Sequence, residues 1–130
     1  MPEPGSWAQS IAAAANGNAD FAGASRWLDT KIVLRFGAAA YWFKLYRGRI
    51  IDAERYNPGT NMLGYDVVVA GEPAAWRRAF EGVTTFGREL GTGQIGGDGD
   101  RVELERSYKA VHVLGSQIIP QCGLPPEVRV

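Results

Sequence analysis

Alternating apolar and polar positions predict β-strands in the middle of the chain. The stretch from Lys31 to Phe36 alternates strictly, as expected of a half-buried strand. The aromatic run 41–46, the dipeptide Arg47-Gly48 and the run 50–56 predict a hairpin with a tight turn. The side chains on the predicted buried face of the first strand are Ile32, Leu34 and Phe36.

Two further strands are predicted later in the chain. Residues 65–70 alternate again, with Tyr65, Val67 and Val69 on one side. The stretch from Gly91 to Gly99 contains five glycines around Gln94 and Ile95, and it predicts a short strand that another backbone approaches closely.

Apolar residues at helical spacing predict four helices, over 7–15, 18–28, 73–81 and 101–114. Pro73 suits a first turn, Asp100 with Glu103 forms a capping pair, and Gly115 is expected to end the last helix. The apolar faces are formed by Phe21, Ala24, Trp27 and Leu28 in the second helix, by Trp76, Ala79, Phe80 and Val83 in the third, and by Leu104, Tyr108 and Val111 in the fourth.

This order predicts one α+β domain, a five-stranded and largely antiparallel sheet covered by helices. Residues 1–28 hold the N-terminal helices, 31–114 hold the sheet and its covering helices, and 115–130 form an irregular tail with three prolines. The helices over 73–81 and 101–114 are expected on one face of the sheet.

Composition narrows the classes of partner. Fourteen basic residues balance fourteen acidic ones, so there is no overall field to attract nucleic acid or an anionic membrane surface. A single cysteine, no secretory signal and no apolar run near the length of a bilayer span predict a cytoplasmic protein without a transmembrane segment.

A glycine motif raises the possibility of nucleotide binding. The glycines of Gly91-Thr-Gly93-Gln-Ile-Gly96 have the spacing of the dinucleotide fingerprint. The fingerprint requires a preceding buried strand within a βαβ unit, and residues 86–90 are too polar for that strand. We therefore expect no nucleotide cofactor.

Catalytic and metal-binding residues are sparse. His112 is the only histidine, and together with Cys122 it does not supply the three or four converging ligands of a metal site or a complete nucleophilic relay. The aromatic strand 41–46 lacks the ribonucleoprotein motif and the basic surround of an RNA platform, so core packing is expected. Carboxylates on charged strand or helix faces are interpreted as solvated, and these are Asp52, Glu54, Asp66 and Glu81.

Several local motifs between about Ile32 and Leu114 resemble the sterol-carrier-protein-2-like family of lipid-binding domains. They are the aromatic hairpin 41–51, the strand Gly64-Tyr-Asp-Val-Val-Val-Ala-Gly71, the helix 72–82 that ends in glycine, and Gly93-Gln-Ile-Gly-Gly-Asp98 before a closing helix. The family's peroxisomal targeting tripeptide is absent from Val128-Arg-Val130.

The resemblance implies a five-stranded, largely antiparallel sheet with an apolar tunnel between sheet and helices for a fatty acyl, acyl-coenzyme A or sterol-like ligand. It implies no catalytic residue and no cofactor. If the apolar faces of the third and fourth helices do not fully meet the sheet, six side chains are expected to line the cavity. They are Trp42, Trp76, Phe80, Phe86, Tyr108 and Val111.

Two alternatives stay open. One is a stand-alone accessory module with a filled core that binds a protein partner or forms a homodimer. The other is a small enzyme of the ketosteroid-isomerase or polyketide-cyclase type, which needs a carboxylate base in a deep apolar pocket. Asp52 or Asp66 would be that base.

Overall fold

The computed structural model describes residues 4–57 and 64–128, with side chains from Trp7 onwards. Within these residues helices and strands follow in the order expected of an α+β domain. They are α1 (Pro4–Asn16), α2 (Ala19–Ala24), β1 (Asp29–Phe36), β2 (Ala39–Tyr46), β3 (Arg49–Arg55), β4 (Val67–Gly71), α3 (Pro73–Phe80), α4 (Phe86–Thr92), β5 (Ile95–Gly99), α5 (Arg101–Val113), a π-helical turn (Leu114–Ile118), α6 (Ile119–Cys122) and a 3-10 turn (Pro126–Val128).

The five strands form one sheet in the order β3-β2-β1-β4-β5. The pairs β1–β2, β2–β3 and β4–β5 are antiparallel, and β1–β4 is parallel. The predicted α+β class and largely antiparallel five-stranded sheet are therefore confirmed. The short strand predicted within Gly91–Gly99 is present as the edge strand β5, but it begins at Ile95, because Gly91 belongs to α4 and Gly93 caps that helix.

One face of the sheet carries the main core. Helix capping positions the covering elements: the Asn18 side chain accepts the Phe21 N–H (2.9 Å), and Asp100 accepts the Glu103 N–H (3.0 Å). Helices α3 and α5 pack on this same face through Ala75, Trp76, Ala110 and Val111. The sheet supplies Ile32, Leu34, Phe36, Tyr41, Phe43, Leu45, Ile50, Val67, Val69 and Ile95.

The other face of the sheet holds a second, smaller cluster of Val33, Ala40 and Trp42, flanked by Tyr56 and Val68. Because successive side chains of a strand point to opposite faces of the sheet, Trp42 lies on the face that its neighbours Tyr41 and Phe43 do not share.

Helix α1 lies along the β3 edge of the sheet and hydrogen-bonds to its backbone. Asn16 accepts the Ile50 N–H (2.8 Å) and donates its own amide to the Ile50 carbonyl (3.0 Å). Gln9 donates to the Ala53 carbonyl (2.7 Å). Backbone groups that an edge strand would otherwise leave unpaired are thereby satisfied.

Two predicted helical faces differ from the structure at their ends. Helix α2 stops at Ala24, because the following turn, closed by the Leu28 N–H to the Ser25 carbonyl (2.9 Å), turns Leu28 inward. Trp27 is consequently 77% exposed rather than part of the apolar face. Helix α3 ends at Phe80, so Val83 lies beyond it and is exposed.

Helix α4 was not anticipated, because two glycines weaken its local propensity. It forms because Thr85 caps it by accepting the Arg88 N–H (3.0 Å) and because Phe86 and Glu89 are buried. The Glu89 carboxylate accepts from Arg78 (2.9 Å) and from the Thr84 hydroxyl (3.2 Å), which ties α4 to α3.

The predicted end of the last helix at Gly115 is wrong. The chain stays helical through the π-helical turn and α6 as far as Cys122, so the predicted irregular tail is not irregular over residues 115–122. Gly115 serves packing instead of termination: a Cβ there would lie 2.4 Å from ring atoms of Phe86. Further along, Leu124 and Val128 are buried in the core.

Candidate functional site

Aromatic side chains fill the space between the sheet and helices α3 and α4. The ring centroid of Trp76 lies 4.4 Å from that of Phe36 and 5.6 Å from that of Phe86. The Trp76 indole N–H donates to the Arg35 carbonyl (3.0 Å), so its polar atom is satisfied. We call this set of rings (Phe36, Trp76 and Phe86) the aromatic interior.

Helix α5 and the π-helical turn close the aromatic interior. Val111 is buried in the same core, and Phe86 lies against the Gly115 backbone. The His112 ring meets Phe86 edge-on at 6.1 Å between centroids. Three of the six predicted lining residues, Trp76, Phe86 and Val111, thus share one core.

The other three predicted lining residues lie elsewhere. Trp42 is buried on the opposite face of the sheet, where its indole N–H donates to the Gly64 carbonyl (2.8 Å). Phe80 is 42% exposed at the end of α3, and Tyr108 is 51% exposed on the outer side of α5. The structure therefore does not bring the six side chains around one cavity.

An open groove of about 550 Å³ lies between α2 and α5, and Tyr108 is part of its wall. The groove exists because α2 presents small residues to α5: a Cβ at Gly23 would meet no atom within 4 Å. Ala24 and Val113, at its floor, also pack against the main core. The remaining lining residues are Asp20, Lys109 and His112. We call this site the α2–α5 groove.

Polar contacts join α2 and α5, or the segments that directly continue them, at both ends of the groove. At one end, Arg106 donates to the Trp27 carbonyl (3.2 Å). At the other end, Gln117 accepts from Asn18 and donates to Asp20, each at 3.1 Å. The two helices are linked by side chains at the ends, while the middle is spanned by small and apolar residues.

Sequence reasoning missed most of this groove. Tyr108, Lys109 and His112 occupy positions i, i+1 and i+4 of one helix, and this spacing was the available signal for a shared face. A glycine such as Gly23 weakens the prediction of a helix over 18–28. In the structure the same residue leaves the space that the groove occupies.

The candidate catalytic groups do not converge. His112 is exposed, and its Nδ1 lies 3.4 Å from the Ser116 hydroxyl. Burial raises the pKa of the Cys122 thiol and so disfavours the thiolate, and the thiol donates to the Ser10 carbonyl (3.6 Å). Asp66 accepts the Lys31 N–H (2.9 Å), and Asp52 is an exposed residue of β3. Neither carboxylate faces the aromatic interior.

The helix and the strand around the glycine motif follow in the opposite order to that of a dinucleotide site. Gly91 belongs to the end of α4, Gly93 follows with φ of 80°, and Gly96 lies in β5, which pairs antiparallel to β4. A fingerprint requires a strand that leads into a helix, and here a helix leads into a strand.

The described residues contain neither a metal-binding cluster nor a membrane-spanning helix. Among residues 4–57 and 64–128, no group of three or more histidine, cysteine or carboxylate side chains is arranged to hold a metal ion. None of the helices in this part of the chain has both the length and the apolarity needed to cross a bilayer.

The sequence matches no protein-family model and none of the curated proteins that were compared with it. Solved structures do match. A crystal structure of sterol carrier protein 2 superposes with a TM-score of 0.74 at 17% identity, covering 90% of this chain and 95% of the other.

A conserved hypothetical protein of Thermus thermophilus, for which a sterol carrier role is suggested, gives 0.68 at 16% identity, covering 95% and 91% of the two chains. The ubiquinone synthesis protein UbiJ-SCP2 gives 0.52 at 10% identity, covering 83% and 86%. At these identities the likeness concerns the fold, and the chain has the fold of sterol carrier protein 2.

Proposed function

We infer that the protein binds and carries an apolar or amphipathic molecule, of the fatty acyl, acyl-coenzyme A or sterol-like class, without transforming it. The observation that carries this proposal is the α2–α5 groove, whose floor residues Ala24 and Val113 are continuous with the main core. Its volume of about 550 Å³ lies within the range of small-molecule sites. The likeness to sterol carrier protein 2 supports the class of ligand.

The groove suits a ligand with one apolar and one anionic end. Hydrocarbon would contact Ala24, Val113 and the Tyr108 ring, and burial of apolar surface contributes about 25 cal/mol per Å² before ordering costs. Lys109 supplies a positive charge in the wall, whereas the Asp20 carboxylate, which accepts from Gln117, supplies a negative charge at the end of the groove near the π-helical turn. A carboxylate or phosphate head group is therefore expected beside Lys109.

The tunnel predicted between the sheet and the helices would extend inward from this groove. Separation of α2 from α5 would expose Val111 and the aromatic interior beneath them, because Val113 belongs to both the groove and the core. Trp76 and Phe86 would then contact the far end of a long chain. The polar contacts at the two ends of the groove are the interactions that such an opening must break.

A non-catalytic role agrees with the chemistry of the candidate groups. Burial raises the pKa of the Cys122 thiol and so disfavours the reactive thiolate, and His112 has a serine hydroxyl rather than a carboxylate at its Nδ1. An imidazole base is normally oriented by a group such as a carboxylate.

One observation favours the alternative of an accessory module with a filled core. The rings of Phe36, Trp76 and Phe86 already pack against one another at centroid distances of 4.4 and 5.6 Å. If that packing does not open, the protein would act through its surface, with a protein partner or a second copy.

Two experiments test the carrier proposal: detection of a bound ligand, and measurement of ligand binding after a substitution that fills the groove. We expect native mass spectrometry of protein purified from its own cells without detergent to show a bound mass. A fluorescent fatty acid should bind with a negative heat-capacity change. Gly23→Phe should fill the groove and weaken binding at least tenfold, about 1.4 kcal/mol.

The matched control is Gly91→Phe. Gly91 is also a helical glycine whose Cβ would meet no atom within 4 Å, but it lies in α4. A folded wild type that shows no bound mass and no probe binding across acyl, acyl-coenzyme A and sterol ligands would refute the carrier proposal in favour of the accessory module.

A further inference from the structure

Trp27 is held in an exposed position by an ordered backbone. Its side chain is 77% exposed, whereas the adjacent Leu28 is buried. The Trp27 carbonyl accepts from Arg106 (3.2 Å), and the Leu28 carbonyl accepts the Arg47 N–H (2.8 Å). The indole is therefore presented to the outside by a segment whose backbone is held by hydrogen bonds at Trp27 and Leu28.

Tyr46 lies beside Trp27 at the same end of the molecule. It is 39% exposed, and with Trp27 and Arg47 it lines a depression of about 380 Å³. Tyrosine and tryptophan combine an apolar body with a polar tip, which is the composition of side chains that sit at the boundary between water and hydrocarbon.

Arginines cover both rings. The Arg26 guanidinium lies 5.1 Å from the Trp27 ring centroid, and that of Arg47 lies 5.3 Å from the Tyr46 centroid. Within residues 4–57 and 64–128, neither arginine is in an ion pair. Arg49, the register partner of Tyr46, is exposed as well, and among the described residues that line the depression only Asp29 is acidic. Although the whole chain has no net charge, arginine side chains place positive charge over both exposed aromatic rings of this surface.

The backbone at Arg47 adds an independent observation. Arg47 has φ of 47° and Gly48 has φ of 91°, so both central residues of the β2–β3 turn have positive φ. Such turns favour asparagine, aspartate and glycine, and an arginine there is sterically unfavourable. Strained residues of this kind concentrate at functional positions.

We propose that Trp27, Tyr46, Arg26 and Arg47 form a docking surface for a bilayer that contains anionic lipids. The two rings insert at the level of the head groups, and the two guanidinium groups bind lipid phosphates. The surface adjoins the α2–α5 groove through the Arg106 contact to Trp27, so docking brings one end of the groove to the membrane. The docking surface does not require that the groove holds a ligand.

The experiment is co-sedimentation of the full chain with vesicles of phosphatidylcholine alone and of an equimolar mixture of phosphatidylcholine and phosphatidylserine. We expect binding to the mixed vesicles only, weakened by high salt. Arg47→Gln should weaken binding about fivefold, the effect expected of one basic residue near an anionic surface, and Trp27→Ala should weaken it at least as much. Arg88→Gln, which removes an exposed arginine from α4, should leave binding unchanged.

A second variant separates docking from folding. Arg47→Asn removes the charge but suits the positive φ, so it should raise the Tm by a few degrees while it weakens vesicle binding. Equal binding to both vesicle types, an undiminished affinity of Trp27→Ala, or an equal loss in Arg88→Gln would each overturn the proposal. So would vesicle binding that survives Arg47→Asn unchanged.

Discussion

The aromatic interior and the α2–α5 groove use the same residue type in opposite ways. In the interior, Gly115 allows the Phe86 ring to approach the backbone, and a Cβ would lie 2.4 Å from ring atoms. In the groove, Gly23 leaves space in which a Cβ would meet nothing within 4 Å. One glycine permits close packing and the other preserves an opening. The interior is therefore expected to determine stability, and the groove to determine binding.

The largest difference in stability is expected between a tryptophan of the aromatic interior, Trp76, and the exposed Trp27 of the docking surface beside the groove. Trp76→Ala should lower the free energy of unfolding by about 3–5 kcal/mol, because it empties the centre of the aromatic interior. Trp27→Ala, at an exposed site, should change it by less than about 0.5 kcal/mol. Urea denaturation would measure both, and similar losses would contradict the expectation that the aromatic interior determines stability.

A methyl group at Gly115 should have the next largest effect. Gly115→Ala forces Phe86 or the π-helical turn to move, at a cost of about 1–3 kcal/mol. Gly91→Ala is the control, since that helical glycine is unobstructed. A Gly115→Ala protein with wild-type stability would mean that the aromatic interior contains adjustable space, as the tunnel hypothesis requires.

The same methyl group in the groove should act with the opposite sign. Gly23→Ala is expected to stabilise the protein by about 0.5–1 kcal/mol, because alanine is the better helix former and no atom obstructs it. Thermal denaturation gives the shift. Destabilisation would indicate that α2 and α5 lie closer together in solution than the groove allows.

Lys109 offers the smallest and most specific test. Lys109→Gln should leave stability within about 0.5 kcal/mol of wild type, since the side chain is exposed. It should weaken the binding of a fatty acid a few-fold but not that of an uncharged sterol-like probe, because only the former carries a charge for the ammonium group. Titration with both probes measures the difference, and an equal loss of both would contradict the proposed head-group position.

Local patterns predicted the sheet well, because alternation is a property of a few neighbouring residues. The run from Ile32 to Phe36 gave the buried face of β1 correctly. The same alternation separates Trp42 from Tyr41 and Phe43, so its place on the opposite face was available from the sequence. It was assigned to a shared cavity because its aromatic character was given more weight than its position in the strand.

The candidate site was harder to predict, since it depends on how distant elements meet. Tyr108 fits an apolar face with Leu104 and Val111, yet the buried positions of α5 include the small residues Ser107 and Ala110. Small side chains let the helix pack closely, and this rotates Tyr108 outward. The groove forms where α2 meets a helix more than 70 residues further along the chain, and no local periodicity records that meeting.

The hydrogen bonds from Gln9 and Asn16 to the β3 backbone bear on how the protein behaves at high concentration. An uncovered edge strand is a template on which a second chain can add a strand, which is a common beginning of aggregation. Here a helix occupies that position, and the amide side chain of Asn16 mimics the backbone pairing of a neighbouring strand on both groups of Ile50. Helix α1 thus prevents a second chain from pairing with β3, in addition to contributing side chains to the core.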